Sequence, residues 1–305
     1  MEVTLDILGN LEPSVARTLL PRWLCGFLEV DADELAAAVA HVSEALNEFD
    51  DQALSESLAA LRTIGDEYAL YRADPVAQRV TRAFMRRLMA GSTVSGQANL
   101  LESHSAGPTL VVCNHLSYCD TQIKDLLLAD NGSVMLADRL IAVAGPKVYE
   151  TPFRRVASLA LNTIKTAQSA ALVHNKGALS PREIATIAIG TVRTAQEQMA
   201  AGDIVLLYGE GSRSRDQRLG PFIKAVRKYA QLEGCRIVPM ALSGSDQMMP
   251  LEQMKMRPVP VQLRIGPSIS VADLGPLGAL EATWHAVASM LPPNQQPLAG
   301  TTAVV

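Results

Sequence analysis

The chain has 305 residues, 48 % apolar and 19 % charged, with a mean hydropathy of +0.14. That balance excludes a chain disordered throughout, and the length is enough to bury a core without disulfide or metal staples. A net charge of −4 argues against a general nucleic-acid binder, so no nucleic-acid partner is expected. Cys25, Cys113, Cys119 and Cys235 are scattered with no C-x-x-C pair and read as reduced thiols, not as a disulfide framework or zinc site. No basic segment precedes an apolar stretch at Met1, and no run of 18 apolar residues occurs. The expectation is a cytoplasmic protein whose contact with a membrane, where it occurs, is peripheral.

Along the chain, the first hundred residues read as helices. Leu35–Leu46 and Leu54–Tyr71 carry apolar residues at three and four spacings. Val76–Met89 sets Val76, Val80, Phe84 and Leu88 on one stripe, flanked by Arg79, Arg82, Arg86 and Arg87. Beyond the polar stretch Gly91–Gly107 the pattern changes to short continuous apolar runs of the buried-strand kind. These are Thr109–Cys113, Ser133–Ala137, Asp203–Tyr208, Arg236–Leu242 and Val261–Ile265. Helical patterns lie among them at Asp120–Ala129, Ser180–Ala200, Ile223–Leu232 and Leu277–Met290. The alternation predicts an α/β class, with a mixed, largely parallel sheet flanked by helices and preceded by a smaller helical domain. The expected division is a helical domain over 1–95, an α/β domain over 96–291 and a flexible tail over 292–305.

Two clusters carry chemistry. The first is Asn114-His115-Leu-Ser-Tyr-Cys-Asp120, directly after a predicted strand. With His115 in the turn and Asp120 in the first turn of the next helix, the carboxylate can reach one imidazole nitrogen and hold its tautomer. The other nitrogen is then free to take a proton from a hydroxyl. The plainer reading is a capping box, Ser117-x-x-Asp120, ahead of an apolar helix. Nothing in the sequence lowers the thiol pKa of Cys119 to make it a nucleophile.

The second cluster is Tyr208-Gly-Glu-Gly-Ser-Arg-Ser-Arg215, again following a strand run. Gly209 and Gly211 permit tight turning, and Arg213 and Arg215 supply planar donor forks suited to phosphate. Between Leu207 and Arg236, seven Lys or Arg face three acids, a local excess of +4. Ser214 stands where a dinucleotide fingerprint needs its third glycine, and there is no Walker lysine and no Gly-x-Ser-x-Gly elbow. A merely solvated turn is the plain alternative.

Together the clusters resemble the glycerolipid acyltransferases, the family of glycerol-3-phosphate and 1-acylglycerol-3-phosphate acyltransferases. Asn114–Asp120 matches its Asn-His-x-x-x-x-Asp block and Tyr208–Arg215 its Phe-Pro-Glu-Gly-Thr-Arg-Ser-Arg-like block. Pro221–Lys224 and Ile237–Leu242 follow as two further blocks in the same order. The resemblance covers roughly residues 76 to 273. Gly209 and Ser212 replace the usual proline and threonine. The helical start and the lack of spans are similar to the soluble, plastid-type glycerol-3-phosphate acyltransferases.

The resemblance implies an enzyme moving a fatty acyl group from acyl-CoA or acyl carrier protein to the hydroxyl of a phosphorylated glycerol-type acceptor. His115 would be the base and Asp120 its orienting acid. Arg213 and Arg215, with Lys165 between the blocks, would hold the phosphate, and Glu210, Gly211 and Ser212 would shape the loop. No metal and no cofactor are implied beyond the acyl donor itself. Two other readings remain: the same fold acting on a sugar, amine or natural product, and a non-catalytic lipid-binding protein using the basic helix Val76–Met89 on an anionic surface.

Overall fold

Residues 4–167, 179–251 and 253–305 are described in the computed structural model, and helices come first. These are α1 (Leu5–Gly9), α2 (Pro13–Cys25), α3 (Ala32–Asn47), α4 (Asp51–Thr63) and, past the short strand β1 (Leu70–Tyr71), α5 (Pro75–Arg86). Asp31, Asp50 and Asp74 start three of them, each side chain accepting a backbone N–H from three residues on. Then come β2 (Thr93–Ser95), α6 (Gln97–Ala106), β3 (Thr109–Cys113), α7 (Asp120–Leu128), α8 (Val134–Ala137), β4 (Leu140–Ala144), α9 (Pro152–Leu159) and β5 (Asn162–Lys165). The rest comprises α10 (Pro181–Ala200), β6 (Ile204–Tyr208), β7 (Arg236–Ser243), α11 (Ser245–Met248), β8 (Gln262–Ile265), β9 (Ile269–Ser270) and α12 (Val271–Met290). The class is α/β, as expected.

The chain divides into two compact units. The first is Met1–Leu88, Val143–Thr191 and Met254–Pro258, and the second is Met89–Ala142, Val192–Gln253 and Val259–Val305. A single cut at residue 95 does not describe this division. The helical unit takes Val143–Thr191 out of the expected α/β stretch because α9 packs on α4 and α5 while β5 pairs antiparallel with β1.

Within the first unit, the α5 stripe faces inward: Val76, Val80, Phe84 and Leu88 are all buried. Arg79 beside it is ion-paired with Glu48. The stripe is thus core, and no apolar face of α5 is left for a lipid surface.

The second unit is built on β3, whose five residues are all buried, as its continuous apolar run requires. β6 and β7 flank it in parallel, β4 extends the sheet in parallel beyond β6, and β8 runs antiparallel to β7 with β2 parallel to β8. β9 pairs antiparallel with the start of β7, and α12 packs against β7. The register sets Cys113 opposite Tyr208, so the segments after β3 and after β6 leave the sheet side by side at its carboxyl edge.

Several expectations change. Val134–Ala137 is a helical turn in place of a strand, with Val134 and Met135 exposed; an apolar run this short does not distinguish the two states. The strands nearby are β4 and β5. Ile223–Leu232 yields only a 3-10 turn over Lys224–Lys228. The segment 292–305 is docked and not frayed: Phe222 N donates to Ala303 O (2.8 Å), Val305 N to Phe222 O (2.9 Å) and Lys224 N to Val305 O (2.7 Å). Gln295 is buried in the same segment. Backbone groups of the 222–224 stretch need a strand partner, and the C-terminal residues supply it. Deleting Ala303–Val305 is therefore expected to cost about 1–3 kcal/mol in a urea unfolding titration of the full chain against the truncated one.

Candidate active site

The two motif segments meet at the carboxyl edge of β3 and β6. Asn114, the first residue past β3, bridges to β7: its amide donates to Leu242 O and its Oδ1 accepts from Leu242 N, both at 2.9 Å. That two-sided clamp fixes where the chain turns and puts His115 at the edge.

Asp120 opens α7 and turns its carboxylate back onto this turn. Oδ2 lies 2.8 Å from His115 Nδ1 and accepts the N–H groups of Leu116 (2.8 Å) and Ser117 (3.0 Å). Oδ1 accepts the Ser245 hydroxyl at 2.6 Å. Only one half of a capping box forms: Asp120 accepts the Ser117 N–H, but the Ser117 hydroxyl bonds to Met249 O and not to the Asp120 N–H, and Cys119, the residue at the helix cap, makes no side-chain cap bond. Asp120 is 1 % exposed. Burial pushes its pKa up, but the His115 bond, the Lys124 charge and the Ser245 hydroxyl outweigh that and hold it below the usual carboxylate range.

An ionised Asp120 demands a proton on Nδ1, which leaves the lone pair on Nε2. Among the described residues Nε2 takes no hydrogen-bond partner, and the His115 side chain remains 18 % exposed. The ring is held on its face as well, stacked on Tyr208 with centroids 3.8 Å apart and planes 19° apart. Burial, aided by the charges of Lys124 and Arg213, holds the imidazole below the ordinary histidine value despite the pull of Asp120. It is therefore neutral at pH 7, as a base must be. Burial pushes the Cys119 thiol up to about 12, which removes it as a nucleophile.

Glu210 ties the second segment to the first. Its Oε2 accepts His115 N (2.8 Å) and its Oε1 accepts Gly220 N (2.9 Å). The loop is further closed by Ser214 N on His115 O at 2.8 Å, and the Ser214 hydroxyl donates to Arg218 O at 2.8 Å. Gly211 sits at φ +69°, the left-handed region. A Cβ at Gly209 would come within 2.4 Å of the fully buried Phe222 ring, so the glycine and Phe222 are fitted to one another. Ser212 and Arg215 are exposed at the loop's outer side. Arg213 lays its guanidinium over the Tyr118 ring, 3.7 Å from the centroid. Neither Arg213 nor Arg215 is committed to a carboxylate among the described residues, so both forks remain open to an anion.

Lys165 lies in the first unit. Its ammonium donates to Gly65 O and sits 4.5 Å from the Tyr68 ring centroid. Sequence reasoning missed Tyr208 as the stacking partner, Ser245 as a donor to Asp120, and Lys124. Only Lys124 left a signal, a basic residue one helical turn past Asp120 on the same predicted helix; Ser245 lies 125 positions from Asp120 and left none.

Glu210 gives a pH test. Burial pushes its pKa up to about 7 despite its two N–H donors. A carboxyl raised in the folded state costs nothing below its unfolded value and destabilises progressively until the folded pKa is passed. From pH 5 to pH 8, wild type should lose about 1–3 kcal/mol relative to Glu210→Gln in denaturant titrations, whatever constant offset the substitution adds.

A sequence model of the family described as Acyltransferase matches residues 91–243, half of the chain. A 1-acyl-sn-glycerol-3-phosphate acyltransferase of Limnanthes douglasii is 33 % identical over 100 residues, 32 % of this chain and 36 % of that protein. The 1-acyl-sn-glycerol-3-phosphate acyltransferase BAT2, chloroplastic, of Brassica napus is 41 % identical over 54 residues, 18 % of this chain and 16 % of that protein. The chain thus spans about a third or less of the length of these curated relatives. Among solved structures, the 1-acyl-sn-glycerophosphate (LPA) acyltransferase PlsC of Thermotoga maritima aligns over 91 % of this chain and 97 % of its own, with a TM-score of 0.45 and 15 % identity. With half of its length matched to the family, and both motif segments inside the match, this chain belongs to the acyltransferase family.

Proposed function

We propose that the protein transfers a fatty acyl group from an acyl thioester, on coenzyme A or acyl carrier protein, to the free hydroxyl of a 1-acylglycerol-3-phosphate or glycerol-3-phosphate acceptor. The observation that carries this reading is the His115–Asp120 pair, with Nε2 unpartnered and the uncommitted Arg213 and Arg215 on the adjoining loop. The names of the curated relatives favour the 1-acylated acceptor.

In this reading Nε2 takes the proton of the acceptor hydroxyl while its oxygen attacks the thioester carbonyl. The tetrahedral intermediate collapses with cleavage of the C–S bond. The departing thiolate takes the proton from the imidazolium, so ester and free thiol are formed and the base is restored. Asp120 stabilises the transient imidazolium without itself being protonated. The acceptor phosphate lies against Arg213 and Arg215. Since the thioester arrives activated, no metal or further cofactor enters. Among the described residues no helix is long and apolar enough to cross a membrane, and the reading has a lipid acceptor reached by peripheral contact.

The test is thiol release from palmitoyl-CoA and palmitoyl acyl carrier protein with each acceptor in turn. Release should depend on the phosphorylated acceptor and fall about 10²- to 10⁴-fold in His115→Ala. Release with a sugar or amine acceptor only, or with none, overturns the reading. Arg213→Met and Arg215→Met should each raise the acceptor KM about ten- to a hundredfold, with a smaller effect on kcat.

A further inference from the structure

A fully buried cation stands outside this mechanism. Lys124 lies on α7 one turn beyond Asp120 and is 0 % exposed. A fully buried lysine is rare unless something compensates it. Its Nζ donates to the main-chain carbonyl of Asp120 (3.2 Å), lies 3.5 Å from the Tyr208 hydroxyl and sits 4.8 Å from the centroid of the Tyr208 ring. That hydroxyl is anchored in turn on Thr121 Oγ1 at 2.7 Å, and the same ring stacks on His115. Lysine, tyrosine and histidine thus form one packed row beside a carboxylate that water does not reach.

We infer that Lys124 is a positioning residue for the His115–Asp120 pair: its ammonium is the buried counter-charge of Asp120, and through Tyr208 it holds the imidazole in place and disfavours a second positive charge on it. The inference rests on the acyl-transfer reading for its consequence on rate, but not for its electrostatics. Leaving a carboxylate buried with only a neutral imidazole and three other donors is costly, and one opposite charge nearby offsets this. The same cation opposes protonation of His115, so the base stays deprotonated at neutral pH and releases its proton readily to the leaving thiolate.

Other charged and titratable groups bear on the pair as well. Asp120 raises the affinity of His115 for a proton, and Arg213 lowers it from the partly exposed side. The Glu210 carboxylate reaches the His115 backbone, Asp246 and Glu210 add negative charge near Asp120, and the Cys113 and Tyr208 side chains are held un-ionised by burial. Lys124 is the member of this set that is both cationic and sealed from solvent. Its influence, unlike that of Arg213, should survive high salt.

The experiment is an NMR titration of the His115 ring in the full chain, wild type against Lys124→Met, at low and high salt, with His115→Gln to assign the signal. The expected result is a midpoint raised by about one pH unit in Lys124→Met at both salt levels. The acid limb of kcat/KM should move up with it. A folded Lys124→Met whose His115 midpoint stays at the wild-type value overturns the inference. If Lys124→Met does not fold, the double variant Asp120→Asn, Lys124→Met decides by thermal melting. Recovery of the fold when both charges are removed supports charge compensation, and failure of the double variant as well makes Lys124 a packing residue and overturns it. Because the ring titration needs no substrate, a raised midpoint in a protein that releases no thiol would refute acyl transfer and leave this inference standing.

Discussion

Four hydrogen bonds converge on the carboxylate of Asp120, from His115, Leu116, Ser117 and Ser245, and the arrangement of the site follows from satisfying that one buried anion. Two of the donors are main-chain groups of the β3–α7 turn, so the turn cannot relax without exposing the charge. The third is the His115 imidazole, whose tautomer is thereby decided. The fourth comes from the short helix after β7, which makes the far strand answerable to the same group. A buried carboxylate without this shell would take up a proton and cease to orient anything.

Glu210 repeats the principle on weaker terms. It holds the His115 and Gly220 backbones with one oxygen each and so fastens the arginine loop to the histidine turn. Here no opposite charge offsets burial, and the group titrates near neutrality while Asp120 stays ionised well below it. The contrast shows what separates the two carboxylates. Both are hydrogen-bonded, but Asp120 also has Lys124 beside it and an imidazole to share its charge. The loop is held from behind as well, since Gly220 O accepts the Trp284 indole N–H and the C-terminal residues pair with Phe222 and Lys224. The last residues of the chain are in this way part of the frame behind the site.

Much of this was legible in the chain. The buried-strand runs of β3, β6 and β7 are continuous because parallel strands covered on both faces have no polar side to show. The stretch from His115 to Asp120 announced its pairing because both residues belong to one tight turn, where spacing along the chain is nearly distance in space. The glycines and arginines after β6 marked a loop suited to an anion because backbone freedom and guanidinium geometry are properties of the residues themselves. What was misread was local too weakly to decide: Val134–Ala137 fits a strand or a helical turn equally well, and the tail over 292–305 reads as frayed until Phe222 and Lys224 are seen to need its backbone.

The amino-acid order alone therefore determined the α/β class and the two motif segments with the residues proposed as base, orienting acid and phosphate forks, all from residues near one another along the chain or from the chemistry of single side chains. Folding alone settled which groups neighbour which across long stretches of chain: Tyr208 on the face of His115, Ser245 on Asp120, Glu210 between the two loops, Lys124 sealed beneath them, and the transfer of Val143–Thr191 to the helical unit. The physical reason is that strand register and burial are collective. The pairing of Cys113 with Tyr208 on one side and Met240 on the other sets which segments meet at the site, and it depends on the whole sheet closing over its core.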